Sequence, residues 1–548
     1  VRLAAGVDAD TQTLRGVRIA PQLFAAYLED GNVEVPVLDT DGDGYADAGV
    51  TAYDQIPAYR VNGTVYGYDY LGLREADEGT AYDEYWEARQ NSESTFAPRR
   101  PTYAAGYTEA EWSRGAFSAR GGLRVARFSS NATALYDLYA PLPVYRVEDY
   151  AGGGVPENIP TSAAILFYPS GGTDQIVGYR DLDGVVYDAS GVEVEPEEVF
   201  TSARGQYLVT GDGAATRDAP SRIVVLPRLS VELRFGGFTL GAFVNAFARQ
   251  PPPELSFLSP EDVIEMSSFS LIPNGGLRPE RLTEVGATLR QSVGREGGAR
   301  GEVEATVFMR SYRDRIRRER LAYAFPAYTT YTNSGTADVP GVSMRAQASV
   351  GRLGALAVAS AQRESFWQQV STTSGFDGTD NLWTYDAAAA FTLTTEPADG
   401  PALGSFRPFA DTRVGVVFRA ASGTEYGPHE MGWDSRPLTY WATFGEWGQG
   451  PSRSRVDLRF ARALRIGGSR LEASVDVLNL FGQVNAIAVY PTTGLPDDDG
   501  TLADVWWLTS ANNDVESETL SAAYAARLRD PAHVGRPRMV QVGLRLSL

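Results

Sequence analysis

The feature that most constrains this chain is a period-two alternation of apolar and polar residues, repeated in segments of roughly ten residues. The last segment is the clearest. Val540, Val542, Leu544, Leu546 and Leu548 form one set, and Gln541, Gly543, Arg545 and Ser547 the other. Successive side chains of a strand point to opposite faces, so this segment presents an aliphatic stripe and a polar, charged stripe. Val456, Leu458 and Phe460 alternate with Arg455, Asp457 and Arg459, and Leu471, Ala473, Val475 and Val477 with Glu472, Ser474 and Asp476. Two segments carry an exception each. Phe308 interrupts the polar set that alternates with Val303, Ala305, Val307 and Met309, and Phe243 the polar set that alternates with Phe238, Leu240, Ala242, Val244 and Ala246.

Alternation together with turn chemistry predicts fourteen strands, near 1–10, 107–118, 119–130, 221–235, 238–249, 281–293, 300–313, 342–351, 353–366, 383–396, 406–420, 453–466, 469–481 and 539–548. The connections alternate in length. Long ones run over 11–106, 131–220, 250–280, 314–341, 367–382, 421–452 and 482–538. Short ones are Gly-rich, at Gly236-Gly237, Gly294 to Gly301, Gly351-Arg352 and Gly467-Gly468, or run through Glu396 to Gly400. A sandwich of strands has no reason to keep that order along a whole chain. A transmembrane barrel does, with turns on the periplasmic side and loops outside. The expected fold is therefore all-β, a transmembrane antiparallel barrel, with 11–106 and 131–220 as long extracellular loops. Trp112, Tyr440, Trp441, Trp447, Trp506 and Trp507 fall at or beyond strand ends, as girdle or loop residues would.

Composition agrees. The 548 residues are 43% hydrophobic, with no apolar run long enough for a membrane helix. That balance suits a sheet that puts every second residue on lipid. Cys is absent, which excludes disulfides, thiolate metal sites and Cys nucleophiles. The two His residues, His429 and His533, sit in loop-like sequence near Pro and read as ordinary loop residues. The basic residues are all Arg, and the net charge of −20 argues against nucleic-acid binding. No nucleophile elbow, phosphate loop or His-Glu-x-x-His occurs. An outer-membrane enzyme would need clustered lumenal carboxylates with raised pKa values, so no enzymatic activity is expected.

The final run Met539 to Leu548 carries a Gly followed at fixed spacing by hydrophobic residues, Gly543, Leu546 and Leu548. It resembles the signal read by the outer-membrane barrel assembly machinery, although Leu548 stands where most such signals end in an aromatic. Five further segments point the same way. They are Arg249-Gln250-Pro251-Pro252, Pro273-Asn274-Gly275-Gly276-Leu277-Arg278-Pro279-Glu280, Tyr312-Arg313-Asp314-Arg315-Ile316, Tyr331 to Asp338 with Gly341, and Val475 to Phe481. In this order they resemble the barrel of TonB-dependent receptors of the Bacteroidetes–Rhodothermus kind.

The resemblance implies a barrel of about twenty-two strands around a plug, in the outer membrane of a Gram-negative bacterium. It implies uptake of a bulky nutrient such as a siderophore, oligosaccharide or peptide, driven by the TonB complex. The chain departs from that pattern in showing neither a plug-like domain nor a TonB box. It therefore reads as the C-terminal barrel portion, with the TonB contact made by an N-terminal part outside it. The alternative is a structural barrel whose loops form a platform for a surface lipoprotein or other subunits.

One motif lies apart from these. Asp39, Asp41, Asp43 and Asp47 stand at positions 1, 3, 5 and 9 of a calcium-type loop, with Gly44 at 6 and the Tyr45 carbonyl at 7. Val50 replaces the bidentate Glu at position 12, so the expectation is weak, structural calcium in an extracellular loop. Pro496-Asp497-Asp498-Asp499-Gly500 is an irregular version and reads as a turn. Tyr53, Tyr59, Tyr66, Tyr68, Tyr70, Tyr82 and Tyr85 crowd the same loop region, as packing or ligand-stacking residues.

Overall fold

The computed structural model describes the chain outside residues 19–63, 70–73, 81–94, 142–143, 168–174, 201–215, 259–261, 263–270, 295–297, 322, 325–326, 366–367, 370–376, 379–380, 405–406, 427–447, 467–468, 491–492, 500–516 and 548. Fourteen strands form its main sheet. They are β1 (Arg2–Thr11), β2 (Thr102–Arg114), β3 (Phe117–Ser129), β4 (Arg222–Phe235), β5 (Phe238–Arg249), β6 (Glu280–Gly294), β7 (Arg300–Leu321), β8 (Tyr328–Val350), β9 (Leu353–Ser365), β10 (Asn381–Thr394), β11 (Thr412–Ala421), β12 (Arg453–Ile466), β13 (Ser469–Leu478) and β14 (Met539–Ser547). Each pairs antiparallel with the next in chain order, and Leu271–Ile272 adds to β8 in parallel. Among the described residues β1 and β14 are the sheet's two edges.

The all-β expectation and the number of strands hold. Several boundaries move, some of them for identifiable local reasons. Gly115 adopts a positive φ of 60°, which places the turn after Arg114 rather than after residue 118. β11 starts at Thr412, because the connection from Glu396 runs on to Asp411, itself at φ 47°. Most of the supposed loop 314–341 is strand, since β7 runs to Leu321 and β8 begins at Tyr328. Its Thr, Tyr and Arg residues pair as well as aliphatic ones do, but without the apolar stripe that marks the rest of these strands. The supposed loop 482–538 contains a helix, Ser517–Leu528.

Register turns the fourteen stripes into one band. Residues directly opposite in an antiparallel pair share a face. Leu3 lies opposite Ala110, Val231 opposite Ala242, Val244 opposite Val285 and Val285 opposite Met309. Val307 then meets Val342, Met344 meets Ala359, Ala355 meets Phe391, and Phe391 meets Val416. Val416 faces Leu458, Phe460 faces Val475, and Val475 faces Val542. The band crosses the sheet from edge to edge. At the end of the short turns it carries Trp112 against Phe117, with rings 5.6 Å apart, and Phe235 against Phe238, 5.9 Å apart. Trp112 thus lies near a strand end on the apolar band. Tyr440, Trp441, Trp447, Trp506 and Trp507 lie outside the described residues.

The band is the exposed face. Along β6, Val285 is 41% and Leu289 is 47% exposed, whereas the Glu284 side chain on the other face is 16% exposed. The polar face is knitted by ion pairs. Arg310 Nε meets Glu284 Oε1 at 2.8 Å, Arg290 Nη2 meets Glu304 Oε2 at 2.7 Å, and Arg120 Nη2 meets Glu109 Oε1 at 2.6 Å. A soluble sheet has the reverse arrangement.

The two Phe exceptions have a place in this face. Phe243, Gly286, Phe308 and Gly341 occupy one cross-strand row, each opposite the next. A Cβ on Gly286 would lie 2.6 Å from Phe243 Cζ, so each ring covers the glycine of its neighbour. An aromatic ring on the polar face is accommodated by a neighbour without a side chain.

Candidate functional site

The hydrophobic packing of the described residues gathers at the end of the sheet bearing the long connections. There the segment after β3 builds a lobe of its own. A four-stranded sheet runs in the order Glu193–Val194, Val186–Asp188, Ile176–Arg180, Ala164–Phe167. Ile159, Ile165, Phe167 and Tyr179 pack into its core, with Tyr145 and Tyr150 closing over Phe167. A second cluster, Leu135, Leu258, Ile272, Leu321 and Tyr328, seats the lobe on the extensions of β7 and β8. The Tyr328 hydroxyl donates to the Leu138 carbonyl at 2.5 Å, and the Phe200 and Tyr323 rings stack at 5.4 Å.

Beneath the lobe lies a buried charge cluster that nothing in the sequence marks. Asp137 Oδ2 sits 3.5 Å from Arg146 Nη2 and 3.7 Å from Arg180 Nη2, and its side chain is fully buried. Asp137 Oδ1 accepts from the Tyr139 amide at 2.8 Å. Arg146 Nη1 donates to the Ser162 carbonyl and Arg180 Nη1 to the Tyr323 carbonyl, at 2.7 and 3.1 Å. Burial pulls the Arg180 guanidinium below its ordinary value, and the Asp137 carboxylate opposes that shift. Removal from water likewise raises the Tyr139 hydroxyl. The arrangement ties the lobe to the β7–β8 hairpin through the Arg180–Tyr323 bond, and removing one partner of the buried charges would be costly.

Four of the segments that carry the family resemblance meet at the base of this hairpin. β7 bulges at Asp314, whose φ is 57°, and the register shifts between Tyr312 and Arg315. The Asp314 carboxylate receives Arg278 Nη2 at 2.8 Å and Arg281 Nη2 at 2.5 Å. Asn333 donates to the Asp314 carbonyl at 2.8 Å and to the Arg278 carbonyl at 3.0 Å, and accepts from the Arg278 amide at 2.8 Å. Glu280 Oε1 accepts the Ile316 amide at 3.0 Å, while Oε2 takes Arg249 Nε at 2.6 Å. Asn274 bridges to the Tyr331 carbonyl and closes its own turn onto Gly276, both at 2.8 Å. These residues satisfy the backbone where the long strands leave the sheet's regular ladder.

The segment Val475 to Phe481 closes a similar knot. Asn479, 1% exposed and at φ 54°, exchanges hydrogen bonds with Gln483, and its amide donates to Asp457 Oδ1 at 2.9 Å. Its role is structural, as local capping by an Asn side chain would have it.

The remaining candidates divide. Gly543 and Leu546 lie on β14, Leu546 on the exposed apolar face opposite Leu471. Leu548 lies outside the described residues, as do the calcium-type residues Asp39, Asp41, Asp43, Tyr45 and Asp47, and His429. Asp499 accepts the Tyr524 hydroxyl at 2.6 Å, and His533 Nδ1 lies 2.9 Å from the Pro496 carbonyl. Among the described residues no group of three or more His, Cys, Asp or Glu is placed to hold a metal ion.

No protein-family model matches the chain, and no curated protein sequence matches it. Solved structures do. The copper transporter OprC is 13% identical over 71% of this chain, with a TM-score of 0.36. The haemophore receptor HasR of Serratia marcescens, as a double mutant in complex with its haemophore HasA and haem, is 13% identical over 69%, with a TM-score of 0.40. The FrpB iron transporter of Neisseria meningitidis is 12% identical over 75%, with a TM-score of 0.39. The chain spans less than half the length of each, 44%, 48% and 46% respectively. A likeness this distant extends to no individual residue.

Proposed function

We propose that this chain forms the wall of an outer-membrane receptor of the TonB-dependent kind, which takes up a bulky nutrient. One observation carries the membrane part. An unbroken apolar band crosses fourteen strands on one exposed face, while the ionised side chains gather on the opposite face. Exposed apolar patches on soluble monomers rarely exceed a few hundred Å². Lipid is the surrounding that such a band fits, and the pairing within the sheet satisfies the backbone there.

The loop architecture supports the receptor part. β8 has 23 residues, about 75 Å of strand at about 3.3 Å per residue. The hydrocarbon core is only about 30 Å thick. The β7–β8 hairpin therefore stands well clear of the band and holds the lobe there, as an outward-facing recognition surface would. In this reading the long connections are extracellular, Asp39 to Asp47 brace one of them with calcium, and β14 with Leu548 carries the assembly signal. TonB engages a part of the protein outside residues 1–548.

The alternative, a platform for a surface lipoprotein or another subunit, is favoured by the packed lobe alone. Two experiments decide. Leu289→Arg and Thr288→Arg place the same charge at one depth on opposite faces. The first should block membrane assembly, at about 2–4 kcal/mol near the midplane, and the second should not; equal behaviour overturns the membrane reading. Growth of a strain carrying the full-length gene on a limiting nutrient should then require TonB. Growth independent of TonB would favour the platform.

A further inference from the structure

The polar face is not uniformly neutralised. On β2–β3 and β6–β7 each named guanidinium meets its own carboxylate. On β11–β12 the pattern breaks. Arg419 and Arg455 are directly opposite each other, a cross-strand pair of like charges, which ordinarily destabilises a sheet. They share one counter-charge. Arg455 Nη2 lies 3.0 Å from Asp457 Oδ2 and Arg419 Nη1 3.9 Å from the same atom. The other oxygen of Asp457 is already taken by the Asn479 amide. One residue pair further along, Arg459 reaches Asp476 only at 3.5 Å, and Arg453 lies beyond Arg455 on the same face. Among the described residues, four guanidiniums thus stand against two carboxylates. Asp386 lies in the row of Arg453, opposite Ala421, and it is exposed.

Two details make this a site rather than an imbalance. The Arg419 and Arg459 side chains are each 57% exposed, open to a ligand, and among the described residues Nε of Arg453 and of Arg455, both buried from solvent, have no acceptor. The cluster also sits where β11 ends and β12 begins, at the long-connection end of the face, in a chain whose net charge is −20.

We infer that the β11–β12 wall binds a solute bearing two or more oxyanion groups, carboxylate or phosphate. Planar guanidiniums present paired N–H donors that match such groups. The bound anion relieves the Arg419–Arg455 repulsion and meets the exposed Arg419 and Arg459 side chains. This deepens the receptor reading and rests on it only in taking the polar face as the lumen.

The test uses the full-length protein purified in detergent, with inorganic pyrophosphate and malonate as probes and sodium chloride at matched ionic strength as reference. Calorimetric titration and the thermal midpoint are read for the wild type, Arg419→Gln, Arg455→Gln and the control Arg120→Gln. Pyrophosphate, malonate or both should bind and raise the midpoint beyond chloride; which one does so separates phosphate from carboxylate solutes. Arg455→Gln should weaken binding by about tenfold or more, as loss of a charge-assisted bond does. Arg419→Gln should raise the midpoint without anion while abolishing the anion-dependent rise. Arg120→Gln should leave binding unchanged. Stabilisation no greater than by chloride, or binding indifferent to Arg419 and Arg455, overturns the proposal. A lowered anion-free midpoint in Arg419→Gln does so as well, since the pair would then not be repulsive. None of these results depends on the Leu289→Arg comparison, so the two readings fail separately.

Discussion

The ring of Phe243 on β5 lies over the backbone of Gly286 on β6, directly opposite it in register, with Val307 on β7 closing the other side. A Cβ at Gly286 would come within 2.7 Å of the Val307 carbonyl oxygen as well as 2.6 Å of the ring. Backbone cannot give way as a side-chain end can. Gly286→Ala should therefore lower stability by about 1–3 kcal/mol, the range of overpacked sites. Phe243→Leu in the same chain should recover part of the loss. The thermal midpoint of the purified protein checks both; an unchanged midpoint in Gly286→Ala would mean that the ring does not rest there.

Asp314 combines a left-handed backbone with two guanidinium partners. Asn tolerates that conformation and Ala does not. Arg278 and Arg281 are more than half exposed, so solvent weakens the ion pairs. Asp314→Asn should cost about 1 kcal/mol, and Asp314→Ala about 1–2 kcal/mol more from backbone strain. Chemical denaturation of the two variants side by side reads the order, and a reversed order would refute the bulge geometry.

Asp137 is the single carboxylate facing Arg146 and Arg180 among the described residues. Asp137→Asn leaves two buried guanidiniums uncompensated and should destabilise the lobe by about 3–5 kcal/mol. Proteolysis should then cut within 132–200 while the main sheet stays resistant. Resistance of the lobe would show that the charge is not confined as described.

The Asn479 side chain holds the turn after β13 through Gln483 and, at 3.3 Å, the Arg536 carbonyl. Asn479→Ala removes those bonds at a positive φ and should cost roughly 2–4 kcal/mol. Hydrogen exchange should rise at Gln483 and at the Asn479 amide. Protection equal to the wild type at both would argue that the side chain is dispensable.

Alkaline pH offers a further check on the lobe. Burial raises the Tyr139 hydroxyl above its ordinary value of 10.0. A group with a raised folded pKa contributes its stability fully below the unfolded value, and that stability is lost as pH rises through the folded value. The lobe should therefore hold its stability up to about pH 10 and weaken above it, with tyrosinate absorbance appearing as it opens. Burial raises Tyr328, Tyr179 and Tyr187 as well, so Tyr139→Phe, which has no proton to lose, should reduce that dependence in part; a slope unchanged in this variant would assign it to those groups.

The alternation of Val540, Val542, Leu544 and Leu546 with Gln541, Gly543 and Arg545 determined a strand and its two faces, and the same pattern elsewhere determined the number of strands. It could do so because period two is a property of one strand and needs no partner. The tertiary structure decided what lies across from what. Phe243 and Phe308 read as defects in the pattern until Gly286 and Gly341 are placed opposite them. Arg419 and Arg455 each look like an ordinary polar-face residue until register makes them a like-charged pair. Arg278, Asp314 and Asn333 belong to separate segments, and only the bulge in β7 brings them into one network. The extension of β7 and β8 past the apolar band left no alternation to read, because beyond the band neither face needs to be apolar. Strand faces are local, whereas register, bulges and charge neighbours depend on segments distant in sequence, and the chain alone carries no signal for them.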